Sequence, residues 1–199
     1  MTNLTSSSRR QFLAQAGIGF GALALAANVS HSRDAATTPT ISALPETEKV
    51  GWAIAGLGVF ATGPILKNIK HCRNTRVTGL ITRDPDGKGQ KLATEYGVAP
   101  EAVVRVEDIA RLADREDIEV VYVITPNGLH KQYALAALAA GKHVFCEKPY
   151  APTVADCEEI NAAAKKANRL VGLGYRVRFD PHNILAIELG KNKSVACWC

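Results

Sequence analysis

Glu147-Lys148-Pro149 ends a short apolar run, His143-Val144-Phe145-Cys146, and so puts a carboxylate and an ammonium where a buried strand must stop. Pro149 cannot donate to a ladder and keeps Lys148 out of helical geometry, so the lysine is presented rather than packed. An ammonium in that place can orient a substrate hydroxyl, stabilise a developing alkoxide and relay its proton, which makes Lys148 the candidate catalytic residue. Glu147 can pair with Lys148 or hold a cofactor ribose. The plainer alternative is a solvated surface pair of negligible worth.

Well upstream, Val50-Gly51-Trp52-Ala53-Ile54-Ala55 runs into Gly56-Leu57-Gly58-Val59-Phe60-Ala61. Gly56 permits a tight turn, Gly58 lets the backbone approach a pyrophosphate with no Cβ in the way, and small Ala61 lets the next helix pack close to the strand. The start of that helix offers unpaired N–H groups and a partial positive charge to phosphates. Gly56, Leu57, Gly58, Val59 and Phe60 are therefore candidate dinucleotide-binding residues, with an ordinary tight turn as the alternative.

The end of the second apolar run, Gly79-Leu80-Ile81-Thr82-Arg83-Asp84, bears on which dinucleotide. An NAD-specific fold places an acid here against the ribose hydroxyls. Thr82 does not repel a 2′-phosphate and can donate to it, and Arg83 and Lys88 can add charge, which favours NADP. NAD stays the alternative, because a shift of two residues would bring the Asp84 carboxylate to the ribose. Arg83 and Lys88 also read simply as solvated surface charge. A third run, Val120-Val121-Tyr122-Val123-Ile124, ends in Thr125-Pro126-Asn127-Gly128-Leu129-His130. Asn127 can hydrogen-bond ribose or amide groups, while His130 either reaches a ligand or packs locally at a helix start.

These groups need elements that bring strand ends to one edge. Apolar runs at residues 50–55, 77–81, 120–124, 143–146 and 170–173 alternate with helical patterns at 60–70, 87–96, 106–113, 129–140 and 154–168. That alternation predicts βαβ units and an α/β fold, a doubly wound, Rossmann-type parallel sheet over residues 49–174. Thr153 or Asp156 caps the last helix, and Gly141 stops the one before it. A chain of 199 residues with 47% hydrophobic and 22% charged residues has room for one substantial core and is neither disordered nor collagen-like. Its +5 charge is spread along the sequence without aromatic interleaving, which argues against nucleic acid as a partner. The five cysteines lack metal-ligand spacing and read as ordinary thiols, so no metal site is expected.

Ser8-Arg9-Arg10-Gln11-Phe12-Leu13 leads into a weakly hydrophobic Gly/Ala-rich run, the layout of a signal peptide. Its paired arginines resemble the twin-arginine export signal of bacteria, which implies export of the folded protein by the Tat machinery to the periplasm. The run is short and polar for a span, so no stable membrane insertion is expected after processing. Residues 1–30 are read as this leader and 31–48 as a linker or arm.

Taken together, the Gly56-Leu57-Gly58 turn, Thr125-Pro126-Asn127 with His130, Ala140-Gly141-Lys142-His143-Val144 leading to Glu147-Lys148-Pro149, and Gly174-Tyr175-Arg176 resemble the Gfo/Idh/MocA oxidoreductase family. With the leader, the chain is most similar to its exported, glucose-fructose oxidoreductase-like members. The resemblance covers residues 49–189. It implies a Rossmann domain holding NAD(P), and an open antiparallel α+β domain supplying the substrate site and the contacts of a homo-oligomer. It also implies hydride transfer between the nicotinamide and a sugar or polyol. By this resemblance Lys148 is the catalytic lysine, Glu147, Asn127 and His130 lie along the cofactor beside Thr125 and Pro126, and Tyr175 and Arg176 approach the nicotinamide or substrate.

Members of the family continue well past the Rossmann domain, whereas residues 175–199 read here as a stub of the second domain with an aberrant tail from Gly190. The expectation is a C-terminally truncated chain with the open-sheet domain largely missing. Two readings stay open: an NADP-dependent sugar oxidoreductase whose turnover the short chain puts in question, and a non-catalytic dinucleotide-binding module or gene remnant. His182, just after Asp180-Pro181, reads as helix-start scaffolding.

Overall fold

The computed structural model describes residues 44–191; the expected leader, most of the expected arm and residues 192–199 lie outside them. Six parallel strands form one sheet in the order β3-β2-β1-β4-β5-β6, where β1 is Val50–Ala55, β2 Thr75–Ile81, β3 Val103–Val104, β4 Val120–Val123, β5 His143–Cys146 and β6 Val171–Leu173. This is the doubly wound order the alternating pattern predicts, with its switch point between β1 and β4. The edge strand β3 escapes the apolar pattern because two residues have no periodicity to read. It pairs only Leu80 with Val103 and Ile81 with Val104.

The helices follow the expected places with shifted ends. The first segment opens in a wide turn at Ala61–Ile65 containing Pro64, which has no N–H to give, and settles into helix α1 only at Leu66–Ile69. Pro85–Gly89 winds in the same way into α2, Gln90–Tyr96. The helix expected at 106–113 is a 3-10 run, Val106–Leu112. Helix α3 is His130–Ala139 and α4 is Val154–Ala167. Thr153, not Asp156, caps α4, its hydroxyl accepting from the Asp156 N–H at 3.1 Å. Gly141 ends the α3 segment with φ +72°. Residues 176–179 form a 3-10 turn before α5, Pro181–Lys191, close to the helix expected there.

Strand alternation divides the sheet into two unequal faces. Ala53, Ala55, Val121, Val123, Val144 and Cys146 share one face and are buried with Ala134, Ala137, Leu138, Ile160 and Ala164 of α3 and α4. Burial pushes the Cys146 thiol up to about 12, so it serves as a small apolar side chain. The other face carries an aromatic row across three strands: Trp52, Tyr122 and Phe145 meet edge to face at 5.0–6.0 Å between ring centres. Gly172 makes room for it, since a Cβ there would lie 2.7 Å from Phe145 Cδ2.

Lys142 is buried yet satisfied. Its Nζ donates to the carbonyls of Ala113 at 3.1 Å and Arg115 at 2.9 Å, tying the start of β5 to the loop before β4. Desolvation lowers its pKa, as expected for an ammonium held by carbonyls alone.

At the head of the first segment, Gly56 has φ +91° and a Cβ there would sit 2.6 Å from the Ile124 carbonyl oxygen. Gly56→Ala should therefore lower the unfolding free energy by about 3 kcal/mol, combining the positive-φ penalty with a backbone clash, as read from urea unfolding midpoints.

Candidate active site

The carboxyl ends of β1, β4, β5 and β6 open on a cavity of about 770 Å³. Phe60, Pro64 and Ile65 form one wall, Tyr122, Phe145 and Glu147 the sheet floor, and Tyr175 and Arg176 the far side. Among the residues singled out from sequence, Phe60, Thr125, Asn127, His130, Glu147, Lys148, Tyr175 and Arg176 border this one space. Gly56, Leu57, Gly58 and Val59 form the adjoining turn, Thr82, Arg83 and Lys88 lie at the end of β2 beyond it, and Pro126 is exposed on the rim between.

The glycine turn is tight at its first residue and open at its third. Gly56 draws the backbone against Ile124, and a Cβ on Gly58 would meet no atom within 4 Å, so the chain leaves open space above it. Val59, the first residue after it, is 89% exposed. The first N–H groups of a helical segment lack intrahelical partners, the feature by which such turns commonly hold anions. Leu57 points its side chain inward and uses its carbonyl to accept from the Lys88 ammonium, which places that lysine directly at the turn.

At the end of β2, Thr82 stands in register with Gly56, whose N–H donates to the Ile81 carbonyl at 2.9 Å. Thr82 is buried and its Oγ1 accepts from the Asp84 N–H at 3.2 Å, which leaves its own O–H to donate. Asp84 turns away from this site. Its carboxylate accepts from the N–H groups of Lys88 at 2.9 Å and Gly87 at 3.0 Å, and these bonds hold its carboxyl below the usual range. The acid that kept a ribose-hydroxyl contact open thus caps its own turn.

Lys148 is exposed at the cavity edge, and the Lys148–Pro149 peptide is cis. Glu147 beside it is held from below rather than through a pair with the Lys148 ammonium. The Tyr122 hydroxyl donates to Oε1 at 2.7 Å, and the Lys148 backbone N–H reaches Oε2 at 3.2 Å. Burial, and then the bond to Glu147, raise the Tyr122 pKa, so the phenol stays a donor. Gly174 allows this, because a Cβ there would be 2.9 Å from Glu147 Oε1. Tyr122 was visible in the sequence only as a strand residue; its alternation with Ile124 toward the strand end is the signal that marks it.

His130 borders the cavity with no solvent exposure. Its Nδ1 lies 2.7 Å from the Pro149 carbonyl and its Nε2 3.0 Å from the Thr125 carbonyl. The ring therefore ties the Lys148–Pro149 segment to the β4 turn instead of offering a nitrogen to a ligand. Beside it the Thr125 hydroxyl is buried with no hydrogen-bond partner among the described residues, a group suited to a polar ligand atom. No cluster of potential metal ligands occurs among the described residues.

Residues 50–175 match the model of an oxidoreductase family with an NAD-binding Rossmann fold, the Gfo/Idh/MocA family. Over 127 residues the chain is 34% identical to 1,5-anhydro-D-fructose reductase of Ensifer adhaerens, covering 64% of this chain and 36% of that protein. It is 39% identical over 134 residues to inositol 2-dehydrogenase of Gluconacetobacter diazotrophicus, covering 63% and 38% of the two chains. The crystal structure of aldose-aldose oxidoreductase from Caulobacter crescentus, complexed with glycerol, superimposes with a TM-score of 0.68 at 43% identity, covering 74% of this chain and 44% of that one. The chain thus spans well under half the length of each.

Replacing His130 by phenylalanine removes both ring nitrogens, and with them the one N–H that a neutral imidazole donates to the Pro149 or the Thr125 carbonyl. Unfolding titrations should show a loss of about 2–3 kcal/mol, whereas an unchanged midpoint would mean the ring fastens nothing.

Proposed function

Since the chain belongs to the Gfo/Idh/MocA oxidoreductase family, we propose that it binds NADP and that its carboxyl-edge cavity serves hydride transfer to or from a sugar or polyol. The observation that carries this reading is the convergence of the open glycine turn, the acid-free end of β2 and Lys148 on one edge of the sheet. The activities for which the relatives are named, an anhydro-sugar reductase, an inositol dehydrogenase and an aldose oxidoreductase, support the substrate class.

When bound, the nicotinamide accepts or donates the hydride. The protein's part is placement and proton handling. The 56–61 turn would hold the pyrophosphate with backbone N–H groups, and Thr82, Arg83 and Lys88 would hold the 2′-phosphate in place of the ribose-binding acid of NAD-specific folds. Asn127 and the unpartnered Thr125 hydroxyl supply polar groups on the wall, and Glu147, fixed by Tyr122, a carboxylate for ribose hydroxyls. Lys148 would bond the substrate oxygen that gains or loses charge and pass its proton as the carbon loses or gains hydride. Tyr175 and Arg176 close the space from the side where substrate would enter.

A binding module without turnover is the second reading, favoured by one observation. Val177 and Phe179 line the cavity yet are more than half exposed, so the described residues leave that side of it uncovered. Purified full chain tested with NADPH or NADP and a panel of aldoses and polyols separates the two. Lys148→Met should keep NADPH affinity within about twofold and lower turnover about 10²- to 10⁴-fold. Wild-type chain that binds NADPH but turns over no member of the panel would favour the module.

We further propose that residues 1–30 are a twin-arginine leader and that the protein works in the periplasm, supported by the Ser8-Arg9-Arg10-Gln11-Phe12-Leu13 pattern. Changing both Arg9 and Arg10 to lysine should leave the precursor in the cytoplasmic fraction of a bacterial host, whereas unchanged export would rule out this route.

A further inference from the structure

We propose that Arg105 is a specificity residue for the 2′-phosphate, completing a cationic clamp with Arg83 and Lys88; this rests on the NADP reading above. Arg105 directly follows β3, and Ile81 pairs with Val104 across the two strands. The Thr82 N–H continues the ladder to the Val104 carbonyl at 2.9 Å, so residues 82 and 105 stand side by side at the carboxyl edge. The Arg105 Nη1 donates to the Arg83 carbonyl at 2.7 Å, which draws its guanidinium across the end of β2. That bond uses one of the five N–H donors of a planar fork suited to phosphate oxygens.

The surrounding charges leave the clamp room for an anion. Lys88 is anchored at the glycine turn through the Leu57 carbonyl, and Arg83 and Arg105 are both exposed. Asp84 is the carboxylate that interacts with Arg105 and Lys88, and its oxygens already accept from the Gly87 and Lys88 N–H groups. The Thr82 hydroxyl, which accepts from the Asp84 N–H and keeps its own proton to donate, belongs to the same end of β2. Nothing in the spacing of Arg105 from Arg83 announces this; it follows from the pairing of β3 on β2.

Titrating the full chain with NADPH and with NADH by nicotinamide fluorescence tests the assignment, with Arg105→Ala and Arg105→Lys beside the wild type. Arg105→Ala should weaken NADPH about tenfold and leave NADH unchanged, as expected for a lost charge-assisted contact to the phosphate alone, with Arg105→Lys in between. Competition by 2′,5′-ADP, but not by 5′-AMP, should weaken in parallel. A wild type that prefers NADPH while Arg105→Ala alters neither affinity, or lowers both equally, overturns this inference and leaves the NADP reading standing. A wild type that binds NADH as tightly as NADPH overturns both.

Discussion

At the end of β1 the backbone runs so close to β4 that a methyl group on Gly56 would sit 2.6 Å from the Ile124 carbonyl oxygen. This approach lies at the point where the strand order reverses. Here the first helical segment leaves toward one face of the sheet while the residues after β4 leave toward the other, and a crevice must open between them. A bulkier residue at position 56 would push the turn away from the sheet edge and carry Gly58, Val59 and Phe60 out of reach of Thr125 and Asn127. The glycine turn and the polar rim depend on this one missing side chain.

A second layer of fit acts on the open face. β6 and the residue after it offer Gly172 and Gly174 at alternate positions, where Cβ atoms would strike Phe145 and Glu147. Phe145 can then complete the aromatic row, and Glu147 can lie flat enough to take the Tyr122 hydroxyl. Because the phenol is buried it holds its proton and points it at the carboxylate. Lys148 follows on a backbone fixed by Glu147 on one side and, through the Pro149 carbonyl, by His130 on the other. The lysine is exposed, but the segment that carries it is fastened at both flanks.

Much of this was legible in the sequence. Apolar runs bounded by glycine and polar turns report parallel strands because both faces of such a strand are buried, and the motif residues fall at their carboxyl ends, the edge at which open α/β sheets hold ligands. What the sequence hides are contacts made across strands. Thr82 directly follows β2 as the apolar run predicts, but the capping of its own turn by Asp84 depends on the local winding at Pro85–Gly89. His130 looks like a rim ligand until its two carbonyl partners, one of them on another loop, are seen. β3 is too short to carry a pattern, and with it goes any view of Arg105. Lys142 sits in a motif that suggests chemistry, yet its ammonium serves two loop carbonyls.

The most direct test of a cofactor site at this edge is a crystal structure of the full chain grown with NADPH. The pyrophosphate should lie above Gly58 against the N–H groups of the 56–61 turn, the 2′-phosphate among Thr82, Arg83 and Lys88, and the nicotinamide within the cavity beside Lys148. Density for the cofactor elsewhere on the molecule, or a nicotinamide turned away from Lys148, would contradict the account.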